Sequence, residues 1–299
     1  VKKKGVKAVI PYLYFLPMAI LLTIFVVYPL YSLVTTSFTK WDGLSAKEFI
    51  GMKNYVKAFH SEKFWYSMKL TFVWTLLSIL ILQPVGVLLS VIVEYVVKRR
   101  RVSGVMRVLF FLPMLMSMVA IGLLWQLIYN PSLGLLTSVL SKLNLIDIMN
   151  PPNLLGSRST VLAAAFIPTI WQWSGFGMIL TSAAMMSIPS ELTEAAAIDG
   201  AGKCSQFFRI TLPLLMPTIF LGMTINMIGA FKGFDMLYAM TAGGPANYTT
   251  LTSIFIYKLS FTENKFGYAC AVSVILILIV IVFTMLFNAA GRKIDERFT

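Results

Sequence analysis

Four side chains within one apolar run have the types and spacing to bind a polyhydroxylated ligand. Thr169, Gln172, Trp173 and Phe176 fall at i, i+3, i+4 and i+7, so a helix would carry a hydroxyl, an amide and two aromatic rings on one face. Aromatic faces cover the C–H side of a sugar ring, while a few amide and hydroxyl groups satisfy its O–H groups. Polar groups set this deep in apolar sequence are costly, which points to a function. A later run adds Asn226, Lys232 and Asp235. Two other readings stay open: Trp173 and Phe176 could pack on neighbouring helices or lipid, and Lys232 with Asp235, three apart on one helix, could form a private ion pair.

Bond-making chemistry finds no constellation. His60 is the only histidine, Cys204 and Cys270 are the only cysteines, and no carboxylates are paired, so neither a metal site nor a nucleophile with its base is expected. The nearest approach to a phosphate-binding loop is Gly200-Ala201-Gly202-Lys203-Cys204. It has Ala197 where the first glycine should stand, and Cys204 in place of the Ser or Thr that would hold magnesium. The expectation is a chain that is not an enzyme, binds no ATP and carries no cofactor. Asn247-Tyr248-Thr249 fits a glycosylation acceptor, but so short a pattern carries little weight.

The elements that hold these residues are set by composition. Hydrophobic residues make up 58% of the 299-residue chain and charged ones 12%, with a mean hydropathy of +0.81. A soluble domain of this length needs far more polar surface, so lipid is the solvent for most of the chain. The fold class expected is an all-α integral membrane protein, a single transmembrane domain over residues 1–299. Six stretches are long enough to cross a bilayer: Ala8 to Ser37, Met68 to Val97, Met106 to Tyr129, Val161 to Ser187, Leu212 to Met236, and Phe266 to Ala290. The first is too long for a signal peptide and lacks a cleavage site, so it reads as a retained helix.

The net charge of +13 is gathered in short clusters between apolar runs rather than in a nucleic-acid-binding patch, and no nucleic-acid partner is expected. Lys2, Lys3, Lys4 and Lys7 precede the first span; Lys98, Arg99, Arg100 and Arg101 follow the second; Arg292, Lys293 and Arg297 follow the sixth. With an even number of spans these clusters share one side, which the positive-inside rule makes the cytoplasm, so both termini are expected there. Against this, the outer loop from Phe38 to Ser67 carries Lys40, Lys47, Lys53, Lys57 and Lys63, interspersed with Asp42, Glu48 and Glu62, over a length that suits a small folded cap. In this topology Cys204 lies in a cytoplasmic loop and Cys270 inside a span, so no disulfide is expected.

Between the fourth and fifth spans, residues 188–217 read IPSELTEAAAIDGAGKCSQFFRITLPLLMP. Ser190, Glu191, Thr193 and Glu194 give a helix start, where acceptors and negative charge suit the backbone N–H groups. Ala195, Ala196 and Ala197 make a smooth small-residue surface, and Gly200 and Gly202 end the helix. A short exposed helix of this kind is a docking knob. Glu194-Ala195-Ala196, three residues, Gly200, nine residues, then Ile210-Thr211-Leu212-Pro213 resembles the EAA loop of binding-protein-dependent ABC importer permeases, with Asp199, Ala201, Leu214, Leu215 and Pro217 also in register. Phe234-Asp235 through Thr241-Ala242-Gly243-Gly244-Pro245, Ile256-Tyr257, Phe266-Gly267-Tyr268-Ala269 and Gly51-Met52-Lys53-Asn54-Tyr55 are similar to the carbohydrate-uptake branch of that family.

The resemblance implies a permease subunit in the bacterial or archaeal cell (inner) membrane, partnered by a second homologous permease chain, two cytoplasmic ATPase subunits and an extracellular or periplasmic substrate-binding protein. Loop 188–211 would hold the coupling helix. Its ATPase-docking residues would be Glu194, Ala195, Ala196, Asp199 and Gly200, although Glu194 could also only support the helix N-terminus and Gly200 only stop the helix. The face of Thr169, Gln172, Trp173 and Phe176, together with Asn226, would line a central cavity with Met114 and Met118 opposite, and the cargo would be a sugar, an uncharged oligosaccharide before a phosphate-bearing one. The competing reading is an ion-coupled secondary transporter. Its usual signs, internal repeats and an acidic residue deep in a span, are missing: only Glu94 lies near a span end.

Overall fold

The computed structural model describes residues 14–295 apart from Lys98 and Ile148. The expected opening of the first span, Ala8 to Leu13, and the basic residues Lys2 to Lys7, Lys98 and Arg297 lie outside the described residues. In chain order come α1 (Tyr14–Ser37), β1 (Thr39–Lys40), β2 (Glu48–Phe49), α2 (Lys53–Phe59), α3 (Glu62–Val96), α4 (Arg100–Phe111), α5 (Met118–Ile128), α6 (Leu135–Lys142), α7 (Val161–Met186), α8 (Ser190–Ile198), α9 (Lys203–Phe231), α10 (Asp235–Thr241), α11 (Thr252–Tyr257) and α12 (Phe266–Asp295). Four of these, α1, α3, α9 and α12, are long and apolar enough to cross a membrane. α7 has the length, but Gln172, Ser174, Gly175 and Gly177 make it more polar, and these residues are buried against protein.

The third run is not one straight span. α4 and its 3-10 extension Leu112–Leu115 meet α5 at a bend of 100°, so the expected continuous helix from Met106 to Tyr129 is corrected to a bent pair. Pro113 has no N–H to donate to the preceding turn, and Met116 and Ser117 then adopt extended backbone before α5 restarts. The fifth run also departs from its expected end. α9 stops at Phe231, Lys232 caps it, and Phe234 breaks the path before α10 begins at Asp235. Lys232 and Asp235 therefore do not share a helix, and the i, i+3 pair expected of them does not form among the described residues.

The chain divides into two compact units. One comprises residues 1–65 and 255–278. In it the antiparallel β1–β2 pair, with Thr39 opposite Phe49 and Lys40 opposite Glu48, sits with α2 as a small cap. Buried Asn54 ties the cap together, its Nδ2 donating to the carbonyls of Ser37 and Thr39 at 2.9 Å each, while Tyr55 Oη and Ser37 Oγ lie 2.6 Å apart. The start of α12 joins the cap through Gly267 N–H, which donates to the Trp41 carbonyl at 3.1 Å.

The other unit comprises residues 66–254 and 279–299. Its centre is the crossing of α3 and α7, where a Cβ on Gly86 would lie 2.6 Å from the carbonyl carbon of Gly177. Small residues let two backbones approach this closely, and close packing is what holds helices together in lipid. An apolar core of Leu70, Trp74, Leu82, Ile121, Phe166, Met240, Leu251 and Ile254 continues from that crossing.

Candidate functional site

A cavity of about 400 Å³ opens inside the second unit. α7 contributes Thr169, Gln172 and Trp173; α9 contributes Asn226 and Gly229; α5 contributes Met118; and the break between α9 and α10 contributes Lys232, Gly233, Phe234 and Asp235. The helical spacing of the α7 residues accounts for their convergence, and Asn226 joins them from the facing helix. Phe176 does not line the cavity but packs edge-on to Trp173, with ring centroids 6.5 Å apart. Met114 sits in the 3-10 turn before the bend and does not line it either.

The polar groups around this cavity are poorly satisfied from within the chain. Gln172 is 1% exposed; its Nε2 donates to the Met116 carbonyl at 3.4 Å, and its Oε1 has no hydrogen-bond partner. The Thr169 hydroxyl is likewise buried without one. Orphaned buried polar atoms cost about 1–3 kcal/mol each unless something else supplies the bond; both atoms are closed to solvent in this structure, so a ligand or water would reach them only after the surrounding side chains move. Met116 is one of the extended residues at the bend, so Gln172 also takes up a carbonyl that the broken helix leaves free.

α3 supplies lining that residue types alone did not reveal. Trp74, Ser78 and Leu82, at i, i+4 and i+8, face the cavity, and a π-helical turn runs over Ser78–Leu82. Their even spacing along one face was the available signal, masked by the apolarity of the run. Just beyond, Gln83 is fully buried and donates through Nε2 to Thr181 Oγ1 at 3.3 Å, filling the space left by Gly222 and Gly177. At the far end of α3, Glu94 accepts two bonds from Arg107 Nη2, at 2.6 and 2.8 Å.

The stretch 188–211 forms α8 and its return to the bundle. Pro189 precedes the helix with extended backbone, and Glu191 stands in the first turn. The helix closes with a Schellman motif: Ala201 N–H donates to the Ala196 carbonyl at 2.9 Å and Gly200 N–H to the Ala197 carbonyl at 3.1 Å. Gly200 has φ +83° with open space where a Cβ would point, so within this chain it acts as the helix stop rather than as a packing contact. No residue of α8 is buried, and Ile198 is 87% exposed, so the chain leaves this helix uncovered. Glu194, Ala195 and Asp199 are all exposed on it. Cys204 and Cys270 are free thiols.

Four helices long and apolar enough to cross a membrane, a largely apolar cavity with a few buried polar side chains in the second unit, and an uncovered helix between α7 and α9 in the chain together fit a multi-pass membrane transport protein. Residues 84–299 match the family described as the binding-protein-dependent transport system inner membrane component, and the chain belongs to it. It is similar to a probable ABC transporter permease protein of Bacillus subtilis, YurN, at 35% identity over 289 residues, covering 95% of this chain and 98% of that one. The trehalose/maltose transport system permease protein MalF of Thermococcus litoralis is 30% identical over 292 residues, covering 97% and 96%. A chain from the crystal structure of a bacterial ABC transporter involved in the import of the acidic polysaccharide alginate superposes with a TM-score of 0.86 at 26% identity, covering 97% of this chain and 98% of that one.

Proposed function

We propose that this chain is the permease half of an ATP-driven importer, forming with a second permease chain the path for a sugar handed over by an external binding protein. The observation that carries the proposal is the pairing, within one unit, of a cavity lined by Thr169, Gln172, Asn226 and the rings of Trp74 and Trp173 with an uncovered helix bearing the Glu194-Ala195-Ala196 sequence. The relatives' names support a sugar cargo, since one is named for trehalose and maltose and another chain belongs to an alginate importer. Trp74 and Trp173 offer ring faces, and Thr169, Gln172 and Asn226 offer neutral hydrogen bonds. Lys232 and Asp235 both line the cavity and offset each other in charge, which favours an uncharged oligosaccharide.

In this reading α7 is a span as well, shielded from lipid by its neighbours, and the bent pair α4–α5 is another, giving six. Both termini face the cytoplasm together with α8. The α8 helix seats in an ATPase subunit, with Glu194 meeting a basic group and Ala195 and Ala196 allowing close approach. The chain itself needs no cofactor, because hydrolysis takes place on the separate ATPase.

ATP-dependent uptake of a labelled sugar panel in proteoliposomes holding the complete importer, wild type against Glu194→Lys, tests this. One sugar should accumulate with wild type, and the variant should lose both uptake and ATPase binding. Uptake that persists without ATP would sink the proposal in favour of an ion-coupled carrier; a variant that docks and transports normally would remove the role of Glu194.

A further inference from the structure

The polar groups lining the cavity of the second unit differ in whether a ligand can touch them. The Thr169 hydroxyl and Gln172 Oε1 are sealed by packing. The indole N–H of Trp74 and the amide of Asn226 are not sealed, although both residues are more than nine-tenths buried, at 4% and 6% exposure. Neither group has a hydrogen-bond partner among the described residues, and both residues line the cavity, so the space they reach is the cavity itself. Trp74 is held by Phe166, the two rings lying near a right angle with centroids 5.0 Å apart. A Cβ on Gly233 would lie 3.5 Å from Trp74 Nε1, which puts this N–H beside the break between α9 and α10. The Gly233 carbonyl does not take it up but accepts from Ser253 Oγ.

The same break carries Lys232 and Asp235, both exposed and both lining the cavity. Their side chains pair neither with each other nor with any other described residue. Charged groups left unpaired in a membrane-embedded cavity are costly and mark a function. An ammonium and an indole N–H can only donate, and a carboxylate can only accept. A ligand that satisfies all three must therefore accept at one place and donate at the next, as adjacent hydroxyls on a sugar ring do. A phosphate or carboxylate would suit Lys232 and Trp74 but meet Asp235 with like charge, and an amine would meet Lys232 in the same way.

We propose that Trp74, Lys232 and Asp235 form a specificity-determining subsite that reads a pair of adjacent hydroxyls on a neutral sugar, Asp235 accepting an O–H while Lys232 and Trp74 Nε1 donate to the hydroxyl oxygens. The proposal rests on the importer reading and adds to it the residues that select the cargo. Selection then lies on α3 and at the α9–α10 break, where the groups are open, as well as on the polar face of α7.

The test is ATP-dependent uptake by the complete importer in proteoliposomes, first with labelled trehalose, maltose, maltotriose, raffinose, glycerol 3-phosphate and an alginate trisaccharide, then with the monodeoxy analogues of the sugar that accumulates. A site built around a hydroxyl discriminates strongly against the analogue lacking it, and removing the protein's partner group abolishes that discrimination. Asp235→Asn, Lys232→Gln and Trp74→Phe should each lower uptake of the parent sugar about tenfold. Each should leave unchanged the uptake of the one or two analogues that lack the hydroxyl it contacts. The binding protein is the same throughout, so its own preference cancels in the ratio of variant to wild type. Lys63→Gln, outside the cavity, should change no ratio. Trp74→Phe keeps a ring and removes the N–H, so it carries the test if either charge change prevents assembly. An equal fall for the parent and every analogue would overturn the subsite and make these residues structural or contacts to the second permease chain; wild-type uptake in all three variants would overturn it too. Accumulation of only the phosphate- or carboxylate-bearing compounds would overturn the hydroxyl-pair reading and leave the importer standing, whereas a wild-type importer that accumulates nothing overturns the importer reading as well.

Discussion

Alanine at Gly86 separates two opposing effects whose sizes the structure sets. Replacing a mid-helix glycine by alanine ordinarily gains about 0.5–1 kcal/mol, because the unfolded chain loses less freedom. At Gly86 the new Cβ would lie 2.6 Å from the Gly177 carbonyl carbon, 2.7 Å from its Cα and 2.8 Å from Met178 N. All three are backbone atoms that cannot rotate away, and ordinary contact begins near 3.4 Å, so α3 and α7 must part by close to an ångström. Overpacking of this kind costs about 1–3 kcal/mol, so the steric term wins and the net loss should be about 1–2 kcal/mol. In a chain of this size that is a fall of roughly 2–3 °C in melting temperature.

Two further glycines serve as controls. At Gly104 in α4 a Cβ would meet nothing within 4 Å, so Gly104→Ala should show the propensity gain alone and raise stability by about 0.5–1 kcal/mol. At Gly177 the nearest atoms are Gln83 Oε1 at 3.2 Å and Gly86 Cα at 3.3 Å, so Gly177→Ala should fall between the other two. Thermal unfolding of the purified complex in nanodiscs, read by intrinsic fluorescence, ranks the three. Because α7 carries Thr169, Gln172 and Trp173 into the cavity, Gly86→Ala should also reduce uptake. A Gly86→Ala complex as stable as Gly104→Ala would refute the close crossing and the positioning built on it.

Glu94→Gln should destabilise the complex by about 1–2 kcal/mol, since Arg107 then keeps a partly buried charge without its counterion; a double-mutant cycle with Arg107→Met that returns no coupling energy would remove the pair as a tie between α3 and α4. At the cap, the hydrogen bonds from Ser45 and Leu44 hold the Asp42 carboxyl down to about 2, below its ordinary 3.8. A depressed carboxylate stabilises the fold above the unfolded value and loses that contribution as pH falls through the folded one. The turn should therefore keep its full support above about pH 4 and weaken between pH 4 and 2, and carboxyl NMR titration with an ordinary Asp42 midpoint would contradict the turn geometry.

The amino-acid sequence by itself determined where the chain is apolar and which helix faces are polar, because both are local properties. The long runs became α1, α3, α9 and α12. The spacing of Thr169, Gln172 and Trp173 follows from the fixed angle between successive helical residues, and so survives any tertiary arrangement in which α7 stays helical. The helix start at Glu191 and the stop at Gly200 were also legible, since capping depends on neighbours in sequence.

What only the tertiary structure decided is where helices stop being straight and which faces meet. Pro113 permits a break, but only the fold shows the 100° bend, with Gln172 Nε2 donating to the Met116 carbonyl and Gly122 letting α5 come up against the backbone of Met236. The interruption that turns Lys232 and Asp235 from a possible pair on one helix into separate lining groups lies at the outer end of the fifth run, where these two charges already set that end apart in the sequence, and it is held where Ser253 Oγ donates to the Gly233 carbonyl. Trp74 and Ser78 face the cavity while Phe176 does not, because the close crossing at Gly86 and Gly177 fixes how α3 and α7 are turned against each other. Periodicity fixes the angles within one helix; the rotation of one helix against another is set by side chains far apart in the chain.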